Sequence, residues 1–396
     1  MRVLGLSSKI RPLAVGSNLA RVARRRIVRF HPWLDPRSGG IYSSMLATSI
    51  ALDATYDVDI VLTAGPVPSM PQFDLEHVNV RPEVGPIPWR RRLECIREIK
   101  GADLVIIEGS WNPMAPVIAG SCKLRGVPYV YVPHGSFNSV VSRAYPKKHV
   151  KKLAWWLLFE RHIVSGAAAT WFSTEYELHR SSRTFPWMPK SGRTVGFTTT
   201  DRGVPPRRSG VTQPHVVAAS RIHSVKSLET LLLAIARNVT EYPEISLTIA
   251  GDGEEKYVTE LKALSVNLDI ADRVNWVGFL GPSEMADLFS MADIYASPGV
   301  ESFGMAVVEA LSSNVPVALS TEVAVSSIVQ ERGAGTVAAY GDQEAFDAAL
   351  ALGIEKALAG EFGDAPRRLY DEEFAPNVFA SQFRSVFLGD VDEASS

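Results

Sequence analysis

Two carboxylates eight positions apart, Glu301 and Glu309, enclose the segment Ser302-Phe303-Gly304-Met305. Ile294-Tyr295-Ala296 leads in as a short buried strand, and Val315-Pro316-Val317-Ala318-Leu319 follows as the next. The pattern predicts strand, loop, helix, strand, with the helix starting near Phe303 or Gly304. Glu301 then stands in the loop and Glu309 about a turn and a half inside the helix. Free backbone N–H groups at a helix start attract phosphate, and Gly304 lets the backbone come close to a ligand. Carboxylates accept hydrogen bonds from sugar hydroxyls. A phosphate site beside hydroxyl acceptors is the chemistry of a nucleotide sugar. Solvated helices also carry glutamates at this spacing, so the spacing does not decide the matter alone.

Other candidates stand where strands run into loops. Strand Arg26–Phe30 leads through a proline-rich turn to Gly39-Gly40, then to a helix from Ile41 to about Asp53 and a strand Val58–Leu62. This is a Rossmann-like opening without the G-x-G-x-x-G of dinucleotide enzymes. Asp103–Ile107 and Tyr129–Val132 read as strands buried on both faces. The second ends in Pro133-His134-Gly135-Ser136, and ligands in such sheets bind beyond strand C-termini, which singles out His134. Ala167–Thr174 is a further strand, with Glu175 opening a helix. Farther on, strand Val216–Ala219 is followed by a loop holding Arg221 and Lys226, then helix Leu228–Asn238. Two cations near a helix start suit a diphosphate, although such pairs are commonly solvated. Strand Ile245–Ala250 ends at Gly251-Asp252-Gly253. After strand Val274–Phe279, a helix Ser283–Met291 is expected with Ser283 as its N-cap, then helices Glu344–Ala359 and Phe374–Leu388.

Glu-x-Phe-Gly, Glu-Ala-Leu and Pro-Val-Ala around Glu301 and Glu309 resemble the donor-site signature of the family-four retaining glycosyltransferases, the group 1 glycosyltransferases that include bacterial exopolysaccharide enzymes. The resemblance covers about residues 26–390 and extends to Arg221-x₄-Lys226, Pro133-His134-Gly135, Gly251-x-Gly253 and the Gly39-Gly40 pair. It implies an α/β fold of GT-B type, two Rossmann-like doubly wound domains facing across a cleft. The donor then binds mainly to the second domain and the acceptor to the first. It also implies roles. Glu301, His134, Arg221 and Lys226 are the catalytic set. Gly39, Gly40, Arg221, Lys226, Gly251, Gly253, Ser302, Phe303, Gly304, Met305 and Glu309 bind the donor. Two departures stand out: Phe197-Thr198-Thr199-Thr200 replaces an Asn-Gly-Val segment, and Ser227 replaces the glycine after the lysine.

The 396 residues suit two domains of about 180 residues. The expected division is a basic N-terminal extension 1–25, an acceptor-side domain 26–197, a linker 198–214, a nucleotide-sugar domain 215–370, and a C-terminal helix 371–396 that returns to the first domain and ends in a frayed tail. A net charge of −2 gives no reason to expect nucleic acid as a partner. Cys95 and Cys122 are too few for a disulfide framework and suit a reducing cytoplasm. No apolar run approaches the roughly 20 residues of a membrane span. The segment 143–163 joins Lys147, Lys148, Lys151 and Lys152 to Trp155, Trp156 and Phe159. It suits either an inner-membrane surface, reached through a peripheral contact, or a helix with its aromatics in the core. His/Cys ligand spacing is absent, and neither metal nor cofactor is expected. The partners are a nucleotide-sugar donor and a hydroxyl acceptor on a lipid-linked or polysaccharide intermediate. The rivals are a nucleotide-sugar 2-epimerase-like isomerase, a nicotinamide-dependent dehydrogenase and a non-catalytic partner subunit of the same fold.

Overall fold

The computed structural model describes residues 24–32, 39–53, 55–62, 78–81, 93–137, 146–185, 191–201, 203–204 and 213–389. Most of the basic extension, the turn 33–38, most of the linker, the side chains of Lys147 and Lys148, and the tail 390–396 lie outside the described residues.

Two parallel sheets organise the chain. The first has the order β3-β2-β1-β4-β5-β6-β7. Its strands are β1 Arg26–His31, β2 Asp57–Leu62, β3 Val78–Arg81, β4 Leu104–Glu108, β5 Tyr129–Val132, β6 Ala169–Phe172 and β7 Gly192–Thr194. The second has the order β10-β9-β8-β11-β12-β13, from β8 His215–Ala219, β9 Ser246–Ala250, β10 Val274–Gly278, β11 Ile294–Ser297, β12 Val317–Ser320 and β13 Gly335–Ala338. All pairings are parallel, because each crossover carries a helix or long loop back to the sheet's starting edge. The central strands are largely apolar because helices cover both faces. Strand order reverses between β1 and β4 in the first sheet and between β8 and β11 in the second. Those reversal points open crevices at the strand C-termini.

The helix after β10 runs Pro282–Met291, so Ser283 is not its cap. Gly281 takes that place: Pro282 occupies the first helical position, where a missing N–H costs nothing, and Glu284 reaches back to accept from Gly281 N at 2.7 Å. The final helix likewise begins at Pro376 rather than Phe374, after extended Ala375. Its Phe379 and Phe383, with Phe387 beyond, pack on fully buried Trp171 of β6, at ring separations of 5.8, 5.5 and 5.5 Å. Arg367, just upstream, bonds Asp201 in the connecting segment at 2.7 Å, and Tyr370 donates to Thr199 O at 3.1 Å.

The segment 143–163 is split. Pro146–Trp155 is helical, the turn widens over Trp156–Glu160, and a short helix Arg161–Gly166 follows. Trp156 is buried against Phe137 and Phe185. Val150, Ala154 and Leu158 are exposed along one side, with exposed Lys151 beside them. The widened turn carries Glu160 into the core, where Tyr131 and Trp155 donate to it. Burial pushes its carboxyl up, against those hydrogen bonds.

Candidate functional site

β11 ends at Ser297, and Glu301 lies in the loop beyond it, close to the N-terminus of the helix Met305–Ser312. Gly304 precedes that helix with φ of +103°, a conformation open to glycine, and the space where a Cβ would stand is 3.1 Å from Val307. Lys226 closes a short turn after β8, and its Nζ lies 2.6 Å from Glu301 Oε1 and 3.1 Å from Val300 O. Gly299 makes this approach possible: a Cβ there would fall 2.3 Å from Lys226 Cα. Ser227 takes the left-handed φ of +51° at the position where the resembling family has glycine. Arg221 is exposed, and its guanidinium makes no hydrogen bond or ion pair with the described residues. Glu309 is buried one helical turn inside, 3.5 Å from Thr199 Oγ1. Gly251 and Gly253 act through packing, since Cβ atoms there would meet Ser220 O at 1.9 Å and Ile222 O at 2.2 Å. They let the Arg221 loop lie directly on the end of β9.

The facing wall comes from the first sheet. His31 ends β1, Glu108 ends β4, and His134 follows β5. His134 has φ of +48°, and buried carboxylates hold its turn on both sides. Glu108 Oε2 lies 2.8 Å from His134 Nε2, and Glu177 Oε1 accepts from Gly135 N at 2.7 Å. Ser173 N and Oγ occupy the other Glu177 oxygen at 2.8 and 2.6 Å. Arg29, buried in the middle of β1, donates through Nε to Glu108 Oε1 at 2.7 Å. The same guanidinium also bonds Met45 O, Thr48 and Ser49. Burial by itself raises the Glu108 carboxyl, but the Arg29 charge, with the His134 hydrogen bond and charge and the His31 charge, holds it well below the usual range. Glu177 has no arginine beside it, and burial pushes it up despite its donors and the nearby His134.

The two walls touch. Ser173 Oγ is 3.4 Å from Ser302 O, and a Cβ on Gly135 would strike Ser302 Oγ at 2.1 Å. A Cβ on Gly40 would sit 3.3 Å from Met305 Cγ, so the helix starts at Gly40 and Met305 meet across the cleft. Phe197 lies between His134 and Phe303, with ring separations of 5.6 and 5.3 Å. Tyr176 and Arg180 both bond Glu322, which sits beyond β12. The Phe197–Thr200 segment therefore lines the site in place of the absent Asn-Gly-Val, through Phe197 on His134 and Thr199 on Glu309.

Of the residues singled out in the sequence, Lys226, Glu301, Ser302, Phe303, Gly304, Met305, Glu309, Gly40 and His134 gather at this cleft. Gly251 and Gly253 stand behind it. Sequence reasoning missed Arg29, Glu108, Glu177 and Gly299. The available signal was a charge set into an apolar strand, as in Ile-Val-Arg-Phe and Leu-Val-Ile-Ile-Glu.

His31, Glu108 and His134 offer ligand-type atoms within 4.8 Å of one another. Both Glu108 oxygens already accept N–H groups, and a metal ion would sit against the Arg29 guanidinium, so the set fits an ion-pair network. The Asp-x-Asp spelling Asp57-Val58-Asp59 opens β2 at the end away from the cleft, with Arg24 on Asp57 at 3.1 Å and Arg26 on Asp59 at 2.5 Å.

Two Rossmann-like sheets meeting at their reversal points, with a helix start and an ion pair on one wall and a histidine on the other, define the class of GT-B proteins. The family model "Glycosyl transferases group 1" matches residues 205–370, and "Glycosyl transferase 4-like domain" matches residues 39–195. The chain belongs to the group 1 glycosyltransferases. It is 30% identical over 136 residues to alpha-monoglucosyldiacylglycerol synthase of Streptococcus pneumoniae, covering 34% of this chain and 30% of that protein. The chain spans less than half the length of the curated relatives it matches. Its fold is similar to sucrose-phosphate synthase from Thermosynechococcus elongatus, with a TM-score of 0.72 at 18% identity over 93% of this chain and all of that one. It is also similar to the Anabaena protein HepE solved with UDP and glucose, with a TM-score of 0.71 at 16% identity over 93% and 100%.

Proposed function

We propose that the chain is a retaining glycosyltransferase that moves a hexose from a UDP- or GDP-sugar to a hydroxyl acceptor without a metal ion. The observation that carries this reading is the Lys226–Glu301 pair, set beside the Gly304–Met305 helix start and facing His134 across the cleft. The bond between the anomeric carbon and the diphosphate oxygen breaks. Lys226, Arg221 and the N–H groups near Gly40 and Met305 stabilise the charge left on the diphosphate. Glu301, released from Lys226, takes the sugar hydroxyls or the positive charge developing on the ring, while Glu309 takes the ribose hydroxyls. His134 places the sugar from the opposite wall. The leaving phosphate oxygen receives the acceptor's proton, and the new bond forms on the same face of the sugar. The wall-to-wall contacts support a cleft that excludes water.

An epimerase would need acid/base carboxylates of its own in the first domain. The carboxylate beside His134 is engaged by Arg29 on one oxygen and by the imidazole on the other, which favours transfer over isomerisation.

A lipid-linked acceptor is supported by the exposed stripe Val150, Ala154 and Leu158 next to Lys151. Such a face suits an anionic cytoplasmic leaflet. Among the described residues, no helix is long and apolar enough to cross a membrane. Assembly of a surface polysaccharide is the setting this reading suits.

The deciding experiment is thermal stabilisation by UDP, GDP, ADP and TDP and their hexose forms, with NAD as control. It is followed by turnover with the stabilising sugar donor, with and without chelator, and NMR of the product's anomeric configuration. Stabilisation by one diphosphate family and transfer with retention in chelator are expected. No shift with any nucleotide would favour the non-catalytic partner subunit.

A further inference from the structure

His134 is held in an unusual state for a loop residue. Its backbone is left-handed, its ring is stacked on Phe197, and its side chain is almost fully enclosed. One ring nitrogen is committed: Nε2 lies 2.8 Å from Glu108 Oε2. An ionised carboxylate can only accept, so Nε2 must carry the hydrogen, and in the uncharged form of the ring Nδ1 is the accepting nitrogen. Glu108 is fixed in turn. Arg29 holds its other oxygen at 2.7 Å and is itself tied to Met45 O, Thr48 and Ser49 on the helix Gly40–Asp53. That helix begins at Gly40, which faces Met305. Thus one buried chain of contacts runs from the first helix through β1 and β4 to the histidine.

We infer that Glu108, clamped by Arg29, is a positioning residue that fixes the His134 imidazole in its Nε2–H tautomer, so that Nδ1 meets a sugar hydroxyl as an acceptor. The catalytic half of this inference rests on the glycosyltransferase reading, while the tautomer half does not. Arg29 can only donate. In Glu108→Gln the amide carbonyl must therefore face Arg29, and the amide NH₂ must face His134. Only the opposite, Nδ1–H, tautomer can accept that bond, so the substitution inverts the ring's donor and acceptor with little change in shape.

The test has two arms. Nitrogen-15 NMR of histidine-labelled protein at mildly alkaline pH, with the His134 signal assigned through His134→Ala, reads the tautomer directly. Nε2–H in the unaltered protein and Nδ1–H in Glu108→Gln are expected. Nδ1–H in the unaltered protein overturns the inference whatever the protein's activity. The second arm is a double-mutant cycle with the nucleotide sugar that the thermal-stabilisation panel selects. Glu108→Gln is expected to lower kcat roughly 10- to 100-fold while the donor KM stays within about threefold, and to cost nothing more in the His134→Ala background. An equal loss in both backgrounds shows that Glu108 does not act through His134 and overturns the inference. Should Glu108→Gln fold poorly because Arg29 loses its counter-charge, the paired Arg29→Met, Glu108→Leu variant removes both charges together and leaves His134 Nε2 without its acceptor, and a kcat loss of the same order is expected there. Turnover at the unaltered level in that variant overturns it as well. Absence of transfer by the unaltered protein would count against the proposed function and leave the NMR result to decide the tautomer.

Discussion

Replacing Lys226 with alanine separates binding from catalysis, and the size of each effect follows from the cleft. Lys226 Nζ is 2.6 Å from Glu301, and the two side chains are only 14% and 19% exposed. A charge-assisted hydrogen bond of this kind contributes about 1.5–3 kcal/mol, and it must open before Lys226 can turn to a phosphate. Its loss offsets much of what Lys226 gains on the donor in the ground state. As the sugar–phosphate bond breaks, charge builds on the leaving oxygen, and a prepositioned donor there supplies about 2.7–4 kcal/mol. Lys226→Ala is therefore expected to lower kcat by roughly 10²–10³-fold, while the donor KM moves by less than about fivefold because binding no longer has to break the pair. The variant also leaves Glu301 enclosed without its cation, at about 1–3 kcal/mol, so Tm should fall by several degrees. Steady-state kinetics over a donor series and a melting scan read all three quantities. A kcat within threefold of the unaltered enzyme, or a loss lying entirely in KM, refutes the placement of Lys226 at the leaving diphosphate.

Ser227→Gly relieves a left-handed backbone position held by a side chain and forfeits no capping bond, since the serine side chain makes none at this helix start. It should raise the denaturant midpoint by the equivalent of about 0.5–1 kcal/mol, the strain relief being partly cancelled by glycine's unfolded-state entropy; a lower midpoint would contradict this account. Asp201 is held below its usual range chiefly by its hydrogen bond from Arg367, against partial burial. A lowered carboxylate contributes stability that is full above its unfolded pKa of about 3.9 and is lost as pH falls through the native value. With Asp201 over a third exposed, screening keeps the effect below about 1 kcal/mol. Asp201→Asn should therefore be slightly less stable than the parent at pH 7, and the two should converge in acid. A constant gap down to pH 2 would rule this out.

The sequence alone determined the parts of this protein that depend on neighbours along the chain. Largely apolar runs mark strands such as Arg26–Phe30, Tyr129–Val132 and Ile245–Ala250, because a strand covered on both faces is mostly apolar and must pair any charge it buries. The Glu301–Glu309 segment could be read because its loop, helix start and two carboxylates are local. Strands at sheet edges, Val78–Arg81 and Gly192–Thr194, went unread: an edge strand is short and need not be apolar. The cap at Gly281 was misread because serine's intrinsic preference yielded to proline at the first helical position and to the reach of Glu284.

Only the tertiary structure decided which charges belong together. Arg29 and Glu108 are 79 residues apart, and Glu108 and His134 are 26 apart; nothing in local spacing ties them. The β1–β4–β5 register brings them together in the centre of the first sheet. Burial then turns isolated charges into an obligatory network, since an arginine and a glutamate inside a core must find partners. The closeness of Gly135 to Ser302 and of Gly40 to Met305 is likewise invisible along the chain. It exists because the two sheets present their reversal points to each other, and that arrangement makes one cleft from two halves of the sequence.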